Sequence, residues 1–300
     1  MTNNQCIILD ENIELSLKRE DLIHPYISGN KYRKLKYNIA FAKANNYKTL
    51  LTFGGAYSNH IAATAAAGKE YNFKTIGIIR GEELGAHLEK TLSENETLAY
   101  ANSCGMEFKF ISREAYRAKN DMSFLNTIRE EYKDVYILPE GGTNDLAIKG
   151  CEEILTTSDL TYDYVCCAVG TGGTLSGIIN ASKSSQKVLG FPALKGDFLT
   201  TEIAQKTNAT HWELIQEYHF GGYAKVTKEL VDFINGFKKE QEILLDPIYT
   251  GKMMYGIFDL ISKGYFPQNS RILAIHTGGL QGISGVNKTL RKKGLQTLDI

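Results

Sequence analysis

Short apolar runs alternate with stretches whose apolar positions recur every three or four residues along most of this chain. The runs at 49–53, 74–79, 107–111, 135–138, 164–169, 187–189 and 271–275 have the length and bounding residues of buried strands. Between them, Ala147, Ile148, Cys151, Ile154 and Leu155 form one helical stripe after Asn144, a residue suited to capping a helix. Leu230, Phe233, Ile234 and Phe237 form a second after Thr227, and Met254, Ile257, Phe258 and Ile261 a third. Each stripe needs a sheet face to cover. Strand and helix in alternation predict an α/β fold of open, twisted, mostly parallel sheets flanked by helices. Residues 182–223 are the least periodic. No repeat, low-complexity tract or Pro/Gly linker interrupts the pattern. At about 150 residues per domain the chain has room for two, and these must be compact α/β units in direct succession.

Composition narrows the class. Hydrophobic residues make up 43% and charged residues 23%, as in ordinary globular proteins. Lys plus Arg and Asp plus Glu both total 34, so no long-range field draws the chain to nucleic acid or an acidic membrane. The five cysteines, Cys6, Cys104, Cys151, Cys166 and Cys167, are scattered and lack the CxxC spacing of zinc or redox sites, so no metal is expected. Cys166 and Cys167 lie in an apolar run and read as small core side chains. The start, MTNNQCIILDEN, lacks a basic region followed by an apolar stretch, and nowhere do about 18 apolar residues run together. A cytoplasmic protein is expected, neither secreted nor membrane-spanning.

Four segments carry candidate chemistry, and three of them fall where a strand gives way to a helix, the place where open parallel sheets bind ligands. Val169-Gly-Thr-Gly-Gly-Thr-Leu-Ser-Gly177 has Gly170, Gly172 and Gly173 to let backbone amides approach an anion, Thr171 and Thr174 as hydroxyl donors, and a helix N-terminus behind them. It predicts a phosphate cup; the alternative is a tight turn. Its spacing is that of neither a Walker motif nor GxGxxG. Phe53-Gly-Gly-Ala-Tyr-Ser-Asn-His60 sets Ser58, Asn59 and His60 around a first helical turn, where Ser58 or Asn59 serves equally well as a cap. Ser28-Gly-Asn-Lys-Tyr-Arg-Lys-Leu35 places Lys31 after two small residues at a helix start. A lone lysine is ordinarily a solvated charge, but a buried, deprotonated one forms imines with aldehydes. The fourth, Ile275-His-Thr-Gly-Gly-Leu280, follows Asp246-Pro-Ile-Tyr-Thr-Gly-Lys252 in sequence and puts Thr277 and Tyr249 at strand ends, where each could be an incidental hydroxyl.

In order and spacing, the motifs KREDL, GNKYRKL, GGAYSNH, PEGGTN, VGTGGTLSG, DPIYTGK and HTGG, from about Lys18 to Gly285, resemble the 1-aminocyclopropane-1-carboxylate deaminase and D-cysteine desulfhydrase family. That family is a branch of the fold-type II, tryptophan-synthase-β-like pyridoxal phosphate enzymes. The resemblance implies pyridoxal 5'-phosphate as cofactor, Lys31 as Schiff-base lysine, and Gly170, Thr171, Gly172, Gly173 and Thr174 as its phosphate loop. It implies Asn59 on the cofactor's 3'-oxygen, Ser58 at the substrate carboxylate or in proton transfer, and Tyr249 and Tyr223 as active-site tyrosines. Lys252 competes with Lys31 as the imine-forming amine.

By the same resemblance, cyclopropane deaminases carry Gln, Glu and Leu where this chain has His60, Thr250 and Thr277, which points to the desulfhydrase side. A hydroxyl at Thr277 would meet the ring nitrogen without forcing its protonation. The expected protein is a lyase eliminating the β-substituent of a small amino acid, a homodimer, with residues 1–35 and 143–300 as the large cofactor-binding domain and 36–142 as the small one. The rivals are a cyclopropane-acid deaminase, a non-catalytic protein binding the cofactor or another phosphate ligand, and a nucleotide-binding protein.

Overall fold

The computed structural model describes residues 2–9 and 12–300. All seven expected strands are present, several longer by a residue or more, and three further strands join them. In chain order they are β1 (Asn4–Ile7), β2 (Glu14–Lys18), β3 (Thr49–Gly54), β4 (Lys74–Arg80), β5 (Met106–Ile111), β6 (Val135–Leu138), β7 (Tyr164–Val169), β8 (Lys187–Pro192), β9 (Trp212–Leu214) and β10 (Arg271–Ile275). The helices are α1 (Asn30–Ala44), α2 (Asn59–Tyr71), α3 (Leu88–Glu94), α4 (Glu96–Ser103), α5 (Met122–Glu131) and α6 (Asp145–Glu152), then α7 (Gly173–Ala181), α8 (Phe198–Ala204), α9 (Lys228–Gln241), α10 (Thr250–Ser262) and α11 (Ile283–Lys292). Asn144 and Thr227 cap α6 and α9 as expected, each side chain accepting from the amide three residues on. Among the described residues no helix is long and apolar enough to cross a membrane.

The strands form two sheets, one ordered β1-β2-β10-β7-β8-β9 and the other β5-β4-β3-β6. Every pairing is parallel except β1 with β2. Both faces of each sheet are covered, which is why the strands read as apolar runs without alternation. On the six-stranded sheet, Cys166 faces the core with Leu230, Ile234 and Met254 from α9 and α10, and Cys167 faces the other core with Ile178 and Leu199 from α7 and α8. Burial pushes both thiols well up, so they stay protonated and inert. On the four-stranded sheet, Leu50 and Leu138 pack with Leu35 and Ile39 of α1 and Ala63 of α2, while Leu51 and Phe53 pack with Ile128 of α5 on the opposite face.

The KREDL motif proves to be architectural. Lys18, at the end of β2, is 2% exposed and pairs at 2.7 Å with the fully buried Asp159. Glu20, also fully buried, takes two bonds from the Arg33 guanidinium at 2.8 and 2.9 Å and so pins the first turn of α1. A charged pair this deep is costly to break, because the survivor is left buried and alone.

Candidate active site

The carboxyl ends of β3, β6, β7 and β10 open onto a single pocket, and each supplies a loop to it. Lys31 enters from the first turn of α1. The chain can reach that position because Gly29 has φ 59° and no side chain, since a Cβ there would lie 1.9 Å from the Thr277 carbonyl oxygen. Asn30 then ties the approach in place. Its amide donates to Thr277 O at 3.2 Å and its side chain donates to Thr174 Oγ1 at 2.8 Å. Lys31 Nζ donates to Gly141 O at 3.1 Å, in the PEGG turn after β6. Desolvation first, and the neighbouring Lys34 charge second, hold its pKa well below the ordinary lysine value. The shift is toward the neutral amine that imine formation requires.

Gly170, Thr171, Gly172 and Thr174 line the pocket floor between β7 and α7. The first amides of α7 have no partner within the helix and face the site with its positive end. Gly173 sits one step behind, packed so closely that a Cβ would come within 2.6 Å of the Thr143 side chain. Lys34, one turn after Lys31, also reaches this floor. It is 2% exposed and donates to Gly141 O at 3.0 Å, Thr143 Oγ1 at 2.9 Å and, at 3.4 Å, Thr171 Oγ1. Lys34 is not among the residues singled out from the sequence; its spacing of three from Lys31, which puts both on one helix face, was the available signal.

Asn59 lines the pocket and its Oδ1 is buried without a partner. Ser58 does not line it. Its Oγ accepts weakly from Ile61 N at 3.4 Å as the N-cap of α2. His60 is fully buried with both ring nitrogens unpaired, and desolvation with the two lysines keeps it neutral. Tyr249 lines the pocket, held by Asp246, whose carboxylate accepts from the amides of Ile248, Tyr249 and Thr250 at 2.8–2.9 Å. Tyr223 stands outside the lining, edge-on to Tyr249 with ring centroids 6.2 Å apart. Thr277 lines the pocket and is 8% exposed. Thr250, named with Thr277 as a departure from the deaminases, is not in the lining: it is fully buried and its hydroxyl donates to Asp246 Oδ2 at 2.6 Å. Lys252 points elsewhere too, donating to His219 O and Gly222 O, both at 2.9 Å.

A model of the pyridoxal-phosphate dependent enzymes matches residues 8–278. The chain belongs to this family. A Pyrococcus abyssi protein provisionally named 1-aminocyclopropane-1-carboxylate deaminase is 32% identical over 294 residues, covering 90% of this chain and 86% of that protein. The Arabidopsis thaliana mitochondrial bifunctional D-cysteine desulfhydrase/1-aminocyclopropane-1-carboxylate deaminase is also 32% identical, over 92% of this chain and 74% of its own. Among solved structures, a homologue of the deaminase superposes with a TM-score of 0.78 at 28% identity, covering 93% of this chain and 88% of that one. The protein is therefore a pyridoxal-phosphate-dependent enzyme of fold type II, of the deaminase and desulfhydrase type.

The pocket fits that cofactor on its own chemistry. An aldehyde needs a desolvated amine, which Lys31 offers, and a phosphate needs amides, hydroxyls and a cation, which the Gly170–Thr174 loop and Lys34 offer. Asn59 Oδ1 and Gln281 Oε1, both on pocket-lining residues, are buried polar atoms that lack partners in the protein, the mark of a site completed by a ligand. No Asp or Glu is among the lining residues. Among the described residues there is also no cluster of His, Cys, Asp or Glu able to hold a metal.

Proposed function

We propose that this enzyme cleaves the bond from Cβ to the leaving group of a small amino acid, with D-cysteine as the type substrate and pyruvate, ammonia and sulfide as products. One observation carries the reading: Thr277, two residues beyond β10, lines a pocket with no carboxylate in its lining. A carboxylate facing the ring nitrogen would keep it a full pyridinium. A hydroxyl leaves the ring less electron-poor and favours prompt loss of a β-substituent. The cofactor, when bound, supplies the electron sink that acidifies the substrate's α-hydrogen.

The chain's own residues do the rest. Lys31 Nζ would hold the cofactor and, as a free neutral amine, would serve as the base at the substrate's α-hydrogen. The Gly170–Thr174 loop and Lys34 hold the phosphate, and Asn59 orients the ring through its 3'-oxygen. Tyr249 closes the side of the pocket with its hydroxyl protonated, because burial pushes that phenol well above its usual range. Ser58, expected at the substrate carboxylate, lies outside the pocket lining as the N-cap of α2, and no substrate contact is assigned to it. The same reading divides the chain into 1–35 with 143–300, and 36–142. In its support, every strand of the four-stranded sheet falls within 49–138.

Opening of the cyclopropane ring is the second reading, favoured by the bifunctional plant relative. Purified protein supplied with D-cysteine, L-cysteine, D-serine and 1-aminocyclopropane-1-carboxylate separates the two. Sulfide and pyruvate from D-cysteine are expected. Efficient 2-oxobutanoate formation from the cyclopropane acid, with D-cysteine untouched, would overturn the desulfhydrase reading.

A further inference from the structure

Lys252 lies on the first turn of α10, three residues after Tyr249, and is 2% exposed. A cation at a helix N-terminus opposes the helix dipole, and burying it removes its hydration. Among the described residues it has no carboxylate within ion-pair distance. Its partners are instead two backbone carbonyls of one short turn, His219 O and Gly222 O, each at 2.9 Å.

That turn has an unusual backbone. Phe220 (φ 53°), Gly221 (φ 90°), Gly222 (φ 115°) and Ala224 (φ 56°) are all left-handed, two of them with side chains that disfavour it. The coil brings carbonyl oxygens to one side, where the ammonium sits. Tyr223 projects from this same turn, and its ring meets Tyr249 edge-on. The N-cap and first turn of α10 thus carry the pocket tyrosine and the cation under the loop of its neighbour.

We propose that Lys252 is a positioning residue: a tethered cation around which the 219–224 turn is wound, so that Tyr223 is held against Tyr249 at the mouth of the active site. The chain itself supplies here what a bound monovalent ion would supply to a ring of carbonyls. Burial lowers the Lys252 pKa to about 8, with Asp246 opposing, so the group is charged at neutral pH. The role of Tyr223 toward substrate rests on the function proposed above; the order of the turn does not.

Three variants of the cofactor-loaded enzyme test this. Lys252→Met keeps the length and removes the charge. It should raise amide hydrogen exchange across 219–225 at least tenfold and raise KM for the amino acid more than it lowers kcat, with the cofactor still on Lys31. Lys252→Ala should recover exchange protection in ammonium or potassium chloride relative to tetramethylammonium chloride of equal ionic strength. Lys252→Arg, which retains the charge, should stay within a few-fold of the wild type and decides the matter if the other two fail to fold. Unchanged exchange in Lys252→Met, identical behaviour of Lys252→Ala in all three salts, or a Lys252→Arg turn as disordered as the Met variant would each overturn the proposal. A wild type that turns over none of the amino acids would sink the functional reading alone, and exchange across 219–225 would still judge Lys252.

Discussion

Lys31 and Lys34 share an acceptor: the two side-chain nitrogens lie 3.1 and 3.0 Å from the Gly141 carbonyl oxygen. Two ammonium groups on one carbonyl, out of water, repel strongly, and the conflict is relieved when one is neutral. Lys34 has two hydroxyls as further acceptors, and Lys31 has the Gly141 carbonyl alone among the described residues. Burial lowers the pKa of both, and Lys31, with the Lys34 charge added to its desolvation, falls well below its ordinary value. Borohydride reduction followed by peptide mapping should place the pyridoxyl group on Lys31, and Lys31→Ala should fold yet show no visible absorption band. Label on Lys34 or Lys252 would contradict the division of labour.

The same pair sets a pH dependence. Desolvation, then Lys34, lowers the Lys31 pKa, so between that lowered value and 10.5 the folded chain binds fewer protons than the unfolded one. Cofactor-free protein should accordingly gain stability as pH rises through that window. Lys34→Met removes the cationic neighbour and should move the pH midpoint for imine formation with pyridoxal, which lacks the phosphate, upward. A midpoint that stays put or falls would show that Lys34 has no influence on the amine.

With the phosphate present, Lys34→Met removes a charge-assisted donor from the cup. Such bonds contribute about 1.5–3 kcal/mol, so cofactor affinity should drop by roughly one to two powers of ten. Titration of cofactor-free protein, followed by absorbance, measures it. An unchanged Kd would mean that the lysine serves only Thr143 and Gly141.

Thr277→Val preserves the shape of the pocket wall and deletes the hydroxyl. Under the proposed function, elimination from D-cysteine should slow by about 10- to 100-fold, the equivalent of one buried hydrogen bond at roughly 1–3 kcal/mol. Thr250→Val should act on the fold instead, since its hydroxyl belongs to Asp246 and not to the pocket. Steady-state kinetics and melting curves on both variants distinguish the roles; equal kinetic effects without loss of stability would refute them.

Gly29→Ala combines a left-handed φ with a methyl placed on a carbonyl oxygen, and should cost about 3 kcal/mol or more of stability. Gly173→Val should also destabilise the fold itself, because Thr143 occupies the space. It is thus a poor probe of phosphate binding taken alone. Denaturant unfolding without cofactor is the measurement, and a midpoint like the wild type's for Gly29→Ala would rule out the steric account.

Where chemistry depends on neighbours in sequence, the chain was legible by itself. Seven strands followed from apolar runs, because strands covered on both faces leave no polar positions to confuse the pattern. That the loop after β7, Asn59 and Lys31 belong together in one pocket was signalled by motifs in which turn, helix start and polar group lie within a few residues of each other. Strands β1 and β2 were missed because their polar residues break the runs. Lys18 is buried in β2 only because Asp159, 141 positions away, neutralises it. Ser58 reads the same in sequence whether it caps a helix or faces a ligand.

Tertiary structure alone decided which residue, of Thr250 and Thr277, lines the pocket, which of Lys31, Lys34 and Lys252 share it, and which carbonyls Lys252 meets. Each of these turns on the direction of a side chain relative to groups distant along the chain. Local periodicity specifies an element and the face it buries. It carries no information about which carbonyl, carboxylate or ammonium from another element will stand opposite, and in a desolvated site that opposing group determines charge and orientation.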